Sequence, residues 1–167
     1  VGKDTVDIYF QTAPQLVIEN GAPAPFSGQA LTGTYASNAT YLGEHENHHY
    51  YMVQNSQSWT TAKAAAEALG GYLAIPNDAA ENQAIDNLIA TANVRDDAFI
   101  GIYWDGTEWL DVLGNSVSYT NWWGNPNNQP YDQPYNDYPY ARKGYWGTDW
   151  YNDWKWNSRP FIIEFAP

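Results

Sequence analysis

The chain has 167 residues, enough for one domain with a substantial hydrophobic core, and it carries a formal net charge of −12 with only seven Lys and Arg. So little positive charge argues against nucleic acid, whose phosphates need clustered Lys and Arg, and against an anionic membrane surface. The absence of cysteine removes disulfide frameworks, thiolate zinc sites and cysteine nucleophiles together, and no apolar run approaches the roughly 18 residues that would insert in a bilayer.

Residues 1–45 differ in texture from the rest. Val6 to Phe10 alternates as a strand does, and Leu16-Val17-Ile18 is a second apolar run. Asn20-Gly21, Pro23 and Pro25 punctuate them, and no chemical motif is present. This stretch reads as an N-terminal extension or a linker from a preceding module. A start at Val1 rather than Met reads as one module of a larger multidomain protein.

Within residues 46–167 the pattern sharpens. Tyr50 to Val53 is strand-like. Ser58 can cap an Ala-rich helix from Trp59 to Leu69, closed by Gly70-Gly71. Tyr72 to Ile75 is short, extended and ended by Pro76. Asp78 and Glu81 have the spacing of a capping box, which opens a second helix to about Ala92 with Ala84, Ile85, Leu88 and Ile89 as its apolar stripe. Phe99 to Ile102 and Trp109-Leu110 read as strands, residues 114–140 as a long irregular loop, and Phe161 to Phe165 as a closing strand. Two early helices followed by short strands predict an α+β domain.

The chemistry concentrates late in the chain. Asn125-Pro126-Asn127 and Asn152-Asp153 offer amide and carboxylate oxygens, hard donors that suit Ca²⁺ rather than a transition metal. Aromatics, 17% of the chain, become dense after Trp104; more than half belong to the core, and the excess suits sugar C–H faces stacking on rings. His45, His48 and His49, with Glu44 and Glu46, read as a surface cluster with incidental metal affinity. No Ser or Cys stands in a strained Gly-framed turn, and the histidines are remote from the loop acids, so no enzyme is expected.

Taken in order, several phrases resemble a C-type lectin-like domain over residues 47–165. Trp59 to Ala62 and Leu69 to Ile75 are similar to that family's first helix and following strand, and Asp78 to Asn82 to its second helix start. Phe99-Ile100-Gly101-Ile102 resembles its central Trp-Ile-Gly-Leu strand. Tyr119-Thr120-Asn121-Trp122 precedes the loop motif, and Phe161 to Phe165 resembles the closing strand. The resemblance implies two helices packed on short antiparallel sheets, with a long irregular calcium-binding loop.

It also implies a site. Asn125 and Asn127 match the ligand positions of the family's Glu-Pro-Asn or Gln-Pro-Asp triplet, and Asn152-Asp153 matches its Asn-Asp pair; Pro126 would then follow a cis bond. Asn136-Asp137 stands where the family has an acidic ligand, which leaves Asn136 at the ligand position and either Asp137 or Asp132 to supply the charge. A second calcium ion would draw on Asn128 and Asp137 with Asp105 and Glu108, although the intervening loop is short. Two vicinal sugar hydroxyls would complete the principal shell and hydrogen-bond to its Asn and Asp ligands. Trp123, Tyr131 or Tyr135 would stack on the ring.

The triplet order favours mannose- or fucose-type hydroxyl geometry. With few carboxylates the ion affinity falls near ~10⁻⁴–10⁻³ M, as in extracellular modules. The expectation is a calcium-dependent carbohydrate-binding module of a bacterial surface adhesin, extracellular, whose partners are glycans on host or neighbouring cells. The alternative is a calcium-independent protein- or ice-binding module on the same fold, with a glycoside-processing enzyme further behind.

Overall fold

The computed structural model describes residues 38–94, 96–123, 140–144 and 148–167. Eight strands and two helices follow one another as β1 (Ala39–His45), β2 (His48–Ser58), α1 (Trp59–Ala68), β3 (Tyr72–Leu73), α2 (Ala79–Thr91), β4 (Ala98–Trp104), β5 (Trp109–Asp111), β6 (Tyr140–Lys143), β7 (Trp150–Asp153) and β8 (Ser158–Phe165). The strands form one sheet in the order β1-β2-β8-β4-β6-β7, with β3 added to β8 and β5 to β4. The pairings are antiparallel except for β4 against β8, where Phe99 faces Phe161. This is the expected α+β architecture, on a mixed and mostly antiparallel sheet.

Strand alternation builds two cores on opposite faces. Tyr51, Val53, Phe161, Ile163 and Phe165 turn to the α1 side, where Trp59, Ala62, Ala66 and Leu69 meet them. Tyr50, Met52 and Ile162 turn to the other side, with Ile85 of α2, Ile100, Ile102 and Trp150. The indole of Trp59 also donates to the Ile100 carbonyl at 2.8 Å, which fixes α1 across β4.

Both helices start as their sequences predict. Ser58 accepts from the Thr61 backbone, and Asp78 Oδ1 accepts from Glu81 N at 2.9 Å. The second half of the capping box departs from expectation. The Glu81 carboxylate reaches Asn77 N at 2.8 Å, and its other oxygen accepts from the Tyr50 hydroxyl at 2.6 Å. That cross-link draws the first turn of α2 inward, so Glu81 and Asn82 are buried beside Ile85 while Ala84, Leu88 and Ile89 are only partly covered.

Three elements were not legible in advance. β1 pairs along β2 from Ala39–Val53 to His45–His48, around a turn in which Glu46 and Asn47 both have positive φ. The boundary expected between residues 45 and 46 therefore falls inside a hairpin of the domain. β6 and β7 stand where an irregular region was expected, at and beyond the end of the long loop.

Gly101 has a packing reason. A Cβ there would lie 2.3 Å from the Leu73 carbonyl oxygen and 2.9 Å from a Val112 methyl, because the chain 73–75 crosses directly over β4. Gly101 N donates to Ala74 O at 2.8 Å in that crossing. Gly101→Ala is expected to cost about 1–3 kcal/mol by overpacking, read as a lower midpoint in urea with an unchanged slope.

Candidate functional site

β7 carries the Asn152-Asp153 pair, and its neighbours decide what that pair can do. Residues 121–123 run along it: Trp150 N donates to Asn121 O at 2.7 Å and Trp123 N to Trp150 O at 2.8 Å. Trp150 is fully buried and packs edge-on against Tyr119 and Trp122. With Trp150 as anchor, alternation turns Tyr151 outward, where Trp123 stacks on it at 5.8 Å between centroids and the Arg142 guanidinium lies 4.6 Å from its ring. The long loop leaves the described residues at Trp123 and re-enters at Tyr140, which pairs with Asp153.

Asp153 is 3% exposed and its carboxylate is fully engaged. Oδ2 accepts from Arg159 Nε at 2.6 Å, with Arg142 Nε 3.6 Å away. Oδ1 accepts from Trp154 N at 2.9 Å, from Asn157 Nδ2 at 2.5 Å and from Arg159 Nη2 at 3.4 Å. Burial works against the Arg159 charge, but the hydrogen bond to Asp153 and the charges of Asp153 and Asp97 outweigh it and hold the guanidinium above its ordinary pKa.

This network also folds the turn between β7 and β8. It presents Trp154 and Trp156 stacked on one another, 42% and 68% exposed, with Lys155 Nζ 4.5 Å from the Trp156 ring. The described residues thus present two stacked aromatic pairs around β7, Trp123 on Tyr151 beside Arg142 and Trp154 on Trp156 beside Lys155.

Of the residues expected at the calcium site, Asn152, Asp153 and Trp123 are among those described. Asn125, Pro126, Asn127, Tyr131, Asp132, Tyr135, Asn136 and Asp137 lie outside them, as does Asn128. In the described half, the Asp153 carboxylate is already engaged. A guanidinium already holds the Asp153 oxygens. Of the acids considered for a second ion, the two described ones are engaged locally: Asp105 Oδ1 accepts from Glu108 N and Thr107 N, bonds that hold its pKa below the usual carboxylate range, and Glu108 accepts from Ser116.

A different group does converge. His48, Glu81 and Glu164 each place a donor atom within 4.8 Å of the others, and such a set could hold a divalent cation. Glu164, fully buried on β8, accepts from His48 Nδ1 at 2.6 Å, Tyr72 Oη at 2.7 Å and Ile75 N at 2.9 Å. Its burial raises its pKa, partly countered by those donors, and nearby Glu81 raises it further. The histidines are therefore not one surface cluster. His49 is buried against Tyr41, and burial holds its pKa down.

Arg142, Tyr151, Trp154, Lys155, Trp156 and Arg159 were not anticipated as site residues. One signal was available: four of the seven Lys and Arg lie between residues 140 and 160.

The lectin C-type domain family matches residues 55–160, and the chain belongs to that family. Among solved structures it is similar to the human scavenger receptor C-type lectin carbohydrate-recognition domain, at 24% identity over 74% of this chain and 95% of that one, TM-score 0.62. Human lithostathine matches at 18% identity over 78% and 98%, TM-score 0.64. A calcium-independent type II antifreeze protein matches at 19% over 78% and 92%, TM-score 0.61. At these identities the structures establish the fold, a C-type lectin-like domain without cysteine. Among the described residues no helix is long and apolar enough to cross a membrane.

Proposed function

We propose that this domain binds a protein partner without calcium, through the aromatic and cationic face around β7, as the ligand-binding module of a larger protein displayed outside the cell. The observation that carries the reading is the Asp153–Arg159 pair. The positive charge that a calcium ion would bring to Asp153 is already supplied by a guanidinium 2.6 Å away. The face itself is built from Trp, Tyr and Arg, the residue types that dominate protein–protein hot spots.

Calcium-dependent sugar binding is the second reading. It is favoured by Trp123 stacked on Tyr151 beside the Asn152-Asp153 pair, and it requires Arg159 to leave Asp153.

Three treatments separate them. The immobilised domain would be offered to intact cells and to a glycan array, each with and without EDTA. Cell binding is expected to survive EDTA and glycosidase and to be lost after surface proteolysis. Trp154→Ala/Trp156→Ala is expected to weaken that binding at least ~30-fold, a loss of about 2 kcal/mol or more, with little change in Tm because both rings are exposed. Binding of one glycan that EDTA abolishes would replace this reading with the second.

A further inference from the structure

Lys143 is a charged residue in the α2-side core, 1% exposed. Its Nζ lies 2.7 Å from Asp86 Oδ1, 2.9 Å from Asn82 Oδ1 and 3.3 Å from Thr148 O. Asn82 and Asp86 are one turn apart on α2 and so share the face that meets β6. The Asn82 amide is itself oriented: Oδ1 also accepts from Trp150 Nε1 at 2.9 Å, and Nδ2 donates to Thr148 O at 2.9 Å. The second Asp86 oxygen is buried with no hydrogen-bond partner.

As an ion pair this arrangement is poor. Two charges are withdrawn from water and one carboxylate oxygen is left unsatisfied. Burial lowers the Lys143 pKa and raises that of Asp86, in each case against their mutual attraction. The binding face uses neither group.

As reactants the same groups are well placed. The amine sits in contact with the carbonyl oxygen of a carboxamide, one C=O bond from its carbon. A carboxyl group touches that amine, and an indole N–H points at the oxygen on which charge would develop. We propose that Lys143 and Asn82 become joined by an intramolecular isopeptide bond, with Asp86 carrying the proton.

The Asp86 carboxylate takes one proton from the Lys143 ammonium. The freed Nζ lone pair attacks Asn82 Cγ, and the carbonyl electrons move onto Oδ1, which Trp150 Nε1–H stabilises. The attacking nitrogen loses a further proton, and the Asn82 Nδ2 nitrogen gains one as the Cγ–Nδ2 bond breaks. Ammonia leaves with the proton first taken, and no oxidant or other reactant is consumed. Holding amine and amide in contact can supply the effective concentration, up to ~10⁵–10⁸ M in well-oriented pairs, that a reaction between two unactivated groups needs. The product ties α2 to β6 across the base of the long loop, so the binding face is covalently fixed to the scaffold beneath it.

Intact-mass measurement of the purified full chain tests this. The mass is expected to fall short of the sequence mass by one ammonia, about 17 Da. Proteolysis should release a branched peptide joining the Asn82 segment to the Lys143 segment. Lys143→Arg and Asp86→Asn are each expected to restore the full mass, with circular dichroism used to confirm that the variants are folded. A wild-type mass equal to the sequence mass after a day at 37 °C, with both peptides recovered free, overturns the proposal. Mass loss persisting in folded Asp86→Asn would overturn the role given to Asp86.

Discussion

Replacing Arg159 by alanine is expected to lower stability by about 2–3 kcal/mol and to create a calcium response. Asp153 is buried, and losing Arg159 Nε and Nη2 would leave a carboxylate with two remaining close donors and a distant Arg142. Breaking a fully buried ion pair from one side costs about 3–5 kcal/mol; the Arg159 side chain is 29% exposed, which brings the expectation below that range. For a domain of this size the fall in Tm is roughly 6–12 °C. Arg159→Lys would keep the charge but not the two-nitrogen fork, and an intermediate loss is expected.

The second half of that expectation concerns function. With the guanidinium gone, only the more distant Arg142 opposes the Asp153 charge, and a divalent cation has a reason to bind there. Millimolar CaCl₂ should then raise the Tm of Arg159→Ala and leave the Tm of the unmodified chain unchanged, since only binding to the native state raises the midpoint. A wild-type Tm that rises with calcium and rises again with a sugar would show that Arg159 yields to the ion, and the proposed protein-binding role would fall with it.

Most of the scaffold could be read from the chain because its signals are local. Ser58 and Asp78 cap helices a few residues on, and strand alternation marks Tyr50 to Val53 and Phe161 to Phe165. The departures came from contacts between distant segments. Glu81 carried the spacing of a capping box, yet Tyr50 of β2 and Asn77 divide its carboxylate. β6 carries Arg142 and Lys143 at adjacent positions and so gives no apolar alternation. Lys143 is buried nevertheless, because Asp86 and Asn82 on α2 receive it. Lysine is almost never fully buried without a partner, and the partner stood some sixty residues earlier in the chain.

The site divides in the same way. The Asn152-Asp153 pair was legible as oxygen donors at the end of an aromatic run. Arg159, which engages Asp153, is in the sequence only one of two charges after Trp156. A motif records ligand types; it does not record whether another side chain satisfies them first.

The Lys143–Asp86 pair offers the other large effect, and its sign is informative. Where two buried charges form only an ion pair, replacing both by apolar residues of similar volume is often neutral or stabilising by about 1–4 kcal/mol. Lys143→Met/Asp86→Leu would then unfold at the same or a higher denaturant concentration than the wild type. If Lys143 is bonded to Asn82, the double variant instead loses a cross-link closing a loop of about 60 residues, a loss on the order of 4 kcal/mol by the chain-entropy argument. Lys143→Met alone should fall further, since Asp86 is then buried with no partner for either oxygen. Equilibrium unfolding in urea orders the three proteins. Wild type most stable and the single variant least is the order a covalent bond requires; a double variant at least as stable as wild type would return Lys143 to the role of a costly buried ion.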